Sequence, residues 1–213
     1  GLVGADGYSH QGIFDLTYLR SIPNLTVMAP ADGRELRMML YAALEYSTPV
    51  AIRYPKGAAA TLPVLPSPIE KGRSVILREG CDMVYFAIGS MVEPCLLAAE
   101  QLAKAGVQAA VVNARFAAPL DNDTLFQVVA AAKGRIVTAE ENVINGGFGA
   151  ACAEALSNSG LNYDLHIAAL PDTFFPHGNP TQQLAAFGLD AVGLAHMAGE
   201  KWFSERIRKY GSE

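Results

Sequence analysis

Apolar and polar positions alternate in blocks along most of the chain, and after residue 73 these blocks predict strands and helices in regular succession. Short, nearly continuous apolar runs indicate strands in RSVILREG, MVYFAIGS, VQAAVVNA, RIVTAEE and LHIAAL. Apolar residues at helical spacing indicate helices in EPCLLAAEQLAKAG, LDNDTLFQVVAAAKG and GGFGAACAEALSNSG, and residues 190–210 predict a final helix. This alternation predicts an α/β domain over residues 73–213, with a parallel or mixed sheet covered by helices on both faces.

The first 60 residues show only part of such a pattern, in the order loop, helix, strand, helix, strand. Asp32 is placed to cap the second helix, and Glu35, three residues later, completes a capping box. One apolar stripe is predicted along that helix, made by Leu36, Met39, Leu40, Ala43 and Leu44. Because two strands do not make a stable doubly wound sheet, we expect other chains or missing residues to supply the rest.

The segment TLPVLPSPIEKG, residues 61–72, holds three prolines at short spacing. Proline fixes φ and removes a backbone donor, so this segment predicts an extended linker. The predicted organisation is therefore a first unit over residues 1–60, a linker over 61–72 and a second domain over 73–213.

Composition and charge narrow the possible functions. The chain has 213 residues, of which 51% are hydrophobic, and a net charge of −5. These values predict a well-buried soluble protein and argue against a nucleic-acid partner. There is neither an apolar run of the roughly 18 residues that a membrane span needs nor a signal-peptide pattern, so we expect a cytoplasmic protein. We expect Cys81, Cys95 and Cys152 to be buried free thiols in a reducing cytoplasm.

The segment GADGYSHQG, residues 4–12, is the first candidate for chemistry. Its glycines allow a close backbone approach to a ligand or a positive φ. His10 is suited to donate to a substrate oxygen or to shuttle a proton, although an exposed loop histidine without a task fits the local sequence as well. Asp6 shares this ambiguity, because Asp-Gly is also an ordinary turn signal.

The segment IRYPKG is the second candidate, because ligands of open α/β sheets collect beyond the carboxyl ends of strands. Arg53 and Lys56 are suited to bind a phosphate or a carboxylate there. The alternative is a pair of solvated charges at the end of a strand.

Two further segments give weaker indications. The glycines of EENVINGGFG precede a helix, but their spacing matches neither the dinucleotide nor the P-loop pattern, so tight strand-to-helix packing is favoured over anion binding. His177, in LPDTFFPHG, indicates a structured loop or an interface. No second histidine lies at metal-ligand spacing, and His166 falls in a predicted strand, so no metal site is predicted.

Taken together, the ordered motifs resemble the 1-deoxy-D-xylulose-5-phosphate synthase family, thiamine-diphosphate enzymes of the transketolase superfamily. The resemblance rests on GLVGADGYSHQGIFDLTYLRSIPNLTVMAPAD, AIRYPKG, NARFAAPLD, EENVINGGFG, LPDTFFPHG and GLDAVGL. It implies the second half of a pyrimidine-binding, transketolase-like domain followed by a transketolase C-terminal domain. It also implies that residues 4–12 form an active-site loop whose supporting strands lie upstream.

The resemblance implies a role for each candidate residue. In the family, pyruvate and D-glyceraldehyde 3-phosphate are joined with loss of carbon dioxide to give 1-deoxy-D-xylulose 5-phosphate, a precursor of isoprenoids, thiamine and pyridoxal. His10 matches the histidine that contacts substrate oxygens near the reactive carbon, and Asp6 matches the aspartate that helps to hold the cofactor adduct. Lys56 stands where the family usually has the phosphate-binding arginine, and Arg53 is a secondary candidate for substrate binding.

The resemblance also implies thiamine diphosphate and magnesium as cofactors, held through segments absent from this chain, and a homodimer. The chain alone is therefore expected to be inactive. Three alternatives stay open at this point. They are a subunit of a split transketolase, a protein of the 2-oxo-acid dehydrogenase beta type, and a non-catalytic dimerisation module.

Overall fold

The computed structural model describes residues 1–58, 60–63 and 67–206. The first half contains, in order, a 3-10 helix (Gly4–His10), α1 (Asp15–Arg20), β1 (Thr26–Met28), α2 (Gly33–Glu45) and β2 (Val50–Ile52). Strands β1 and β2 pair in parallel. Asp32 caps α2 by accepting hydrogen bonds from the backbone amides of Arg34 and Glu35. The predicted order of loop, helix, strand, helix and strand is confirmed.

The second half is built on a five-stranded sheet with strand order β3-β5-β4-β7-β8. Its elements are β3 (Val75–Arg78), β4 (Met83–Ala87), α3 (Val92–Lys104), β5 (Ala109–Asn113), β6 (Phe116–Ala118), α4 (Asn122–Ala131), β7 (Arg135–Val143), α5 (Phe148–Ser157), β8 (Asp164–Leu170), α6 (Pro180–Ala186) and α7 (Ala191–Trp202). Strand β3 runs antiparallel to β5, and the other pairs of this sheet are parallel. The predicted mixed sheet is confirmed.

Helices cover both faces of this sheet, as the apolar strands predict. On one face, Met83, Tyr85 and Ala87 of β4 pack with α3 and α7. On the other face, Val84 and Phe86 pack with α4 and α5. The alternation along β4 is the period of two that a strand imposes, and it explains why this strand is buried on both sides.

The small sheet of the first half takes its third strand from the second half. After β5 the chain leaves the large sheet. The next strand, β6, pairs antiparallel with β1, which gives the small sheet the strand order β2-β1-β6. The chain turns at Arg115, whose φ is +62°. Our expectation that other chains or missing residues must supply every further strand was therefore wrong in this respect, because β6 belongs to the same chain.

The predicted apolar stripe of α2 is only partly covered. Met39 is buried against Met28 and Phe116, whereas Leu40 is 52% exposed and Leu44 is 80% exposed. The stripe spans a wider arc of the helix than the three-stranded sheet covers. The helical pattern was correct, but the burial of its outer positions was not.

The remaining comparisons between sequence and structure concern the cysteines, the last helix, the linker and membrane-spanning helices. Cys95 and Cys152 are buried, but Cys81 is exposed, because it lies in the turn between β3 and β4. Helix α7 ends at Trp202, and the last positions of the helix expected over 190–210 lie outside the described residues, as do positions 64–66 of the linker. Among the residues that the structure describes, no helix is long and apolar enough to cross a membrane.

Candidate active site

The glycine-rich loop near the start of the chain folds as the irregular 3-10 segment Gly4–His10. The segment kinks at Gly7, where φ is 61° and ψ is −149°, a conformation that glycine adopts without strain. The side chain of His10 is exposed, and its Nδ1 lies 2.9 Å from the Ser9 hydroxyl. The loop therefore presents a histidine to solvent on a backbone whose shape is fixed by glycine.

Asp6 and Lys56 come together, which joins the two sequence candidates in one site. Lys56 Nζ donates to Asp6 Oδ2 over 2.5 Å, although the residues lie 50 positions apart. The hydrogen bond from Lys56 lowers the pKa of Asp6, and electrostatic interactions, first with Lys56 and then with His10 and His177, lower it further. Asp6 is therefore ionised at neutral pH, with an ammonium group beside it.

Arg53 lies beneath this loop, with its guanidinium buried. Nη2 donates to the carbonyl oxygens of Gly12, at 3.3 Å, and of Glu141, at 2.5 Å. Nε lies 3.3 Å from Asp15 Oδ2. These contacts hold the end of the loop against β7. Substrate binding by Arg53 stays a prediction, and its burial and its full set of partners do not favour that role.

Glu141, at the end of β7, supports the same region from the second half. Its Oε1 accepts from the Leu2 amide at 2.8 Å, and its Oε2 accepts from the Ser90 hydroxyl at 2.6 Å. The carboxylate also lies 4.0 Å from Arg53 Nη1. The sequence analysis did not single out Glu141, although an acidic pair inside a strand predicted to be buried was a signal for it.

The glycine-rich turn before α5 is occupied by a carboxylate from the protein itself. Glu140 accepts hydrogen bonds from the amides of Phe148, at 2.6 Å, and Gly149, at 2.7 Å. Burial raises the pKa of Glu140 to about 7, although these two amides and the charges of Arg53 and Arg20 oppose the rise. A side chain at Gly149 would collide with Ile167 and Thr138. The tight packing favoured from the sequence is therefore confirmed for this turn.

The segment LPDTFFPHG forms a loop that contacts the first loop of the same chain, which agrees with the structured loop that was one of the two alternatives for His177. The His177 ring lies against Gly7 so closely that an added Cβ there would come within 2.8 Å of two ring atoms. The Gly178 amide donates to the Gly4 carbonyl over 3.3 Å. Gln11 Nε2 donates to the Phe175 carbonyl over 3.2 Å. No local pattern in the sequence indicates which segment His177 meets.

A cleft of about 550 Å³ opens beside Lys56. One wall is the segment after β2, with Tyr54 and Lys56, and a second is the start of α2. Ser90 and Glu93 line it from the second half. Lys56 thus borders both the cleft and the loop that carries Asp6, which makes this corner the best candidate for binding a small anionic substrate.

A metal-held diphosphate does not fit the residues that the structure describes. Within residues 1–58, 60–63 and 67–206, no group of three or more His, Cys, Asp or Glu side chains lies close enough together to hold a metal ion. The acidic side chains near the loop are engaged with Lys56 and Arg53.

Comparisons with known proteins agree with this architecture. The chain is 48% identical over 202 residues to the 1-deoxy-D-xylulose-5-phosphate synthase of Nitrosospira multiformis. It is 46% identical over 199 residues to the synthase of the same name from Magnetococcus marinus. Each match covers 92% of this chain but only 31% and 32% of those relatives, so the chain spans about a third of their length.

Solved structures show the same fold. A split-gene transketolase, described as an inactive beta4 tetramer, superposes with a TM-score of 0.83 at 31% identity and covers 92% of this chain and 63% of its own. A transketolase from Pichia stipitis, at 24% identity, superposes with a TM-score of 0.70 over 97% of this chain and 29% of its own.

Two family models match successive parts of the chain. The transketolase pyrimidine-binding domain matches residues 1–61, and the transketolase C-terminal domain matches residues 72–194. The chain therefore belongs to the transketolase family.

Proposed function

We propose that this chain supplies the substrate-facing part of a thiamine-diphosphate-dependent 1-deoxy-D-xylulose-5-phosphate synthase. The reaction would join pyruvate to D-glyceraldehyde 3-phosphate with loss of carbon dioxide. One observation carries the proposal: the ion pair between Asp6 and Lys56 joins two motifs, distant in sequence, that resemble the substrate loop and the phosphate site of that family. The 48% identity to a synthase of this name supports it.

Each exposed residue of the site has a chemical role in this proposal. His10, exposed at the end of the loop, contacts substrate oxygens near the reacting carbon and moves a proton there. Lys56, at the border of the cleft, binds the phosphate of the aldehyde substrate. Asp6, kept ionised beside Lys56, orients that ammonium group until phosphate arrives. Arg53 and Glu141 hold the loop in place from below.

The cofactors belong to residues that this chain does not contain. We propose that thiamine diphosphate and magnesium are bound by the part of the synthase that lies outside the matched third. The chain by itself is then inactive, and the complete enzyme is expected to assemble as a homodimer. The exposed apolar positions on α2, Leu40, Tyr41 and Leu44, provide a surface for such assembly.

One alternative has an observation in its favour. The similarity to a split-gene transketolase supports a subunit that works with a separate partner chain and transfers ketol groups. The two candidates differ in the acceptable donor substrate, since the synthase uses pyruvate and a transketolase uses a ketose phosphate.

A fusion protein tests whether the chain belongs to a synthase or to a split transketolase. This chain is joined to the parts of the N. multiformis synthase that it does not match, and the purified fusion, with thiamine diphosphate and magnesium, is given either pyruvate or xylulose 5-phosphate as donor. We expect 1-deoxy-D-xylulose 5-phosphate from pyruvate and glyceraldehyde 3-phosphate. Ketol transfer from xylulose 5-phosphate without that product would favour the alternative, and a folded fusion with neither activity would contradict both.

A further inference from the structure

We propose that His177 is a positioning residue of the candidate active site: its ring holds Gly7, and through Gly7 it fixes where Asp6 and His10 lie. The consequence for catalysis rests on the proposed function, but the effect on the loop itself does not. The residue comes from the second half of the chain, 170 positions from the loop that it supports.

The contact between His177 and Gly7 is close and depends on glycine. A Cβ built on Gly7 would lie 2.8 Å from both Cε1 and Nε2 of the ring, closer than real Cβ atoms come, and 3.0 Å from Cδ2. The ring therefore lies directly over the Gly7 α-carbon. Gly7 is also the kink of the loop, with φ at 61°, so the ring covers the position that separates Asp6 from His10.

Three more contacts fasten the same two segments together. Backbone hydrogen bonding links Gly178 to Gly4, and the Gln11 side chain bonds to the Phe175 carbonyl. The rings of Phe14 and Phe174 meet edge to face with centroids 5.3 Å apart. The first loop is thus held along its length by the segment that carries His177.

The supporting segment is itself anchored, so it is able to act as a fixed wall. The Phe175 side chain is buried at 3% exposure, and its ring packs edge to face on Phe187. Gln183 Nε2, from α6, donates to the Pro176 carbonyl over 2.8 Å. His177 therefore projects from a loop that is held on both sides.

The ring acts by packing and not by hydrogen bonding. Within the described part of the chain, neither nitrogen of His177 makes a hydrogen bond, whereas His10 has Ser9 within 2.9 Å. An aromatic ring without nitrogen should therefore replace His177 in holding the loop. This distinguishes a positioning role from direct substrate contact.

Hydrogen exchange on the 213-residue chain tests the effect on the loop. In His177→Ala we expect the amides of residues 5–10 to exchange about tenfold faster, as for a local opening that costs about 1.4 kcal/mol less. His177→Phe should exchange near the wild-type rate. His196→Ala, which removes another exposed histidine of the second half, is the matched control and should leave the loop unchanged.

A double-mutant cycle tests the contact directly. Gly7→Ala should loosen the loop because of its positive φ and because of the collision with the ring. In the Gly7→Ala/His177→Ala double variant the collision is removed. Adding His177→Ala to Gly7→Ala should therefore speed amide exchange in the loop less than His177→Ala does in the wild type. Strictly additive effects, or unchanged loop exchange in His177→Ala, would overturn the proposal.

Kinetics of the fusion protein test the consequence for catalysis. His177→Ala should lower kcat about tenfold and change KM for glyceraldehyde 3-phosphate less than twofold, because a misplaced His10 affects the reacting carbon more than the remote phosphate. His177→Phe should restore kcat, and failure of Phe to restore it would contradict the positioning role. If the fusion makes no product at all, the proposed function fails, while the exchange measurements still decide whether His177 holds the loop.

Discussion

Arg115 and Glu35 form a buried ion pair that joins the two halves of the chain. Arg115 Nε lies 2.7 Å from Glu35 Oε1, and the two side chains are 3% and 4% exposed. Asn113 donates to both oxygens of the same carboxylate, and the Ala31 amide adds a further bond. Arg115 also donates to the Ser67 and Pro68 carbonyls at the end of the linker. The relative placement of the two halves, and hence of the loop and the wall that supports it, depends on this cluster.

Arg115→Ala should lower the free energy of unfolding by about 3–5 kcal/mol, because it leaves the Glu35 carboxylate buried without its charge partner. Urea unfolding of the 213-residue chain measures this. The control is Lys201→Ala, which removes a more exposed pair with Asp164 and should cost less than about 1 kcal/mol. Equal losses of unfolding free energy in the two variants would show that the buried ion pair contributes no more to stability than the exposed one.

Glu140 should make the stability depend on pH near neutrality. Its pKa is raised from the ordinary value of 4.5 to about 7 by burial, so between these values the folded state binds more protons than the unfolded state. The contribution of Glu140 to the free energy of unfolding therefore falls as pH rises from about 4.5 to about 7, by up to about 1.4 kcal/mol per pH unit. Above about pH 7 the contribution of Glu140 to the free energy of unfolding should no longer change with pH.

Glu140→Gln isolates this contribution, because glutamine does not titrate. Urea unfolding of both proteins at pH 5, 6, 7 and 8 should show the wild type losing stability relative to the variant as pH rises. Carboxylates with lowered pKa values, such as Asp82 and Asp121, are common to both proteins and cancel in the difference. A difference that stays constant from pH 5 to pH 8 would contradict the raised pKa.

Arg53→Ala should destabilise the fold, by about 3 kcal/mol or more, if Arg53 clamps the loop as its buried contacts with Gly12 and Glu141 indicate. Arg73→Ala, at a side chain that is 53% exposed, is the control and should destabilise the fold less than Arg53→Ala does. Unchanged stability in Arg53→Ala, together with a raised KM in the fusion protein, would instead support the substrate-binding role predicted from the sequence.

Lys56→Ala in the fusion protein should raise KM for glyceraldehyde 3-phosphate about tenfold, the loss of one charge-assisted hydrogen bond, and leave KM for pyruvate nearly unchanged. Lys56→Arg is the matched variant. It keeps the charge and adds the bidentate geometry that suits phosphate, so its KM should equal or fall below that of the wild type. Equal increases for both substrates in Lys56→Ala would remove Lys56 from the phosphate role.

Local sequence patterns predicted the elements whose causes are local. The apolar run of β4 and the capping position of Asp32 are visible in a few consecutive residues, and both are confirmed. β6 was missed because its three residues, Phe116–Ala118, are too few to show a period and pair with a strand about 90 positions away. Glu35 was predicted to complete a capping box; its carboxylate accepts from the Ala31 amide, one residue before the cap, and also from Arg115, a contact that only the fold creates.

The candidate site likewise contains residues that the sequence indicated and residues that it did not. The types of residue at Asp6, His10 and Lys56 were recognisable in the sequence, because glycine-rich loops and the ends of strands commonly carry ligand contacts. Their supports, Glu141 and His177, were not assigned to the site, because their partners lie more than 50 positions away. Arg53 shows the opposite case: a charge expected at the surface lies buried among carbonyl oxygens.

The turnover of His10→Ala, measured per folded molecule of the fusion protein, tests the central claim most directly. His10 is exposed, and its ring hydrogen-bonds to its neighbour Ser9, so its loss should leave the melting temperature within about 1 °C of the wild type. If the loop carries the chemistry, kcat should fall about 10²-fold, the scale of a lost proton-transfer group, while His196→Ala retains full activity. Undiminished turnover in a folded His10→Ala protein would contradict the claim that residues 4–12 form the catalytic loop.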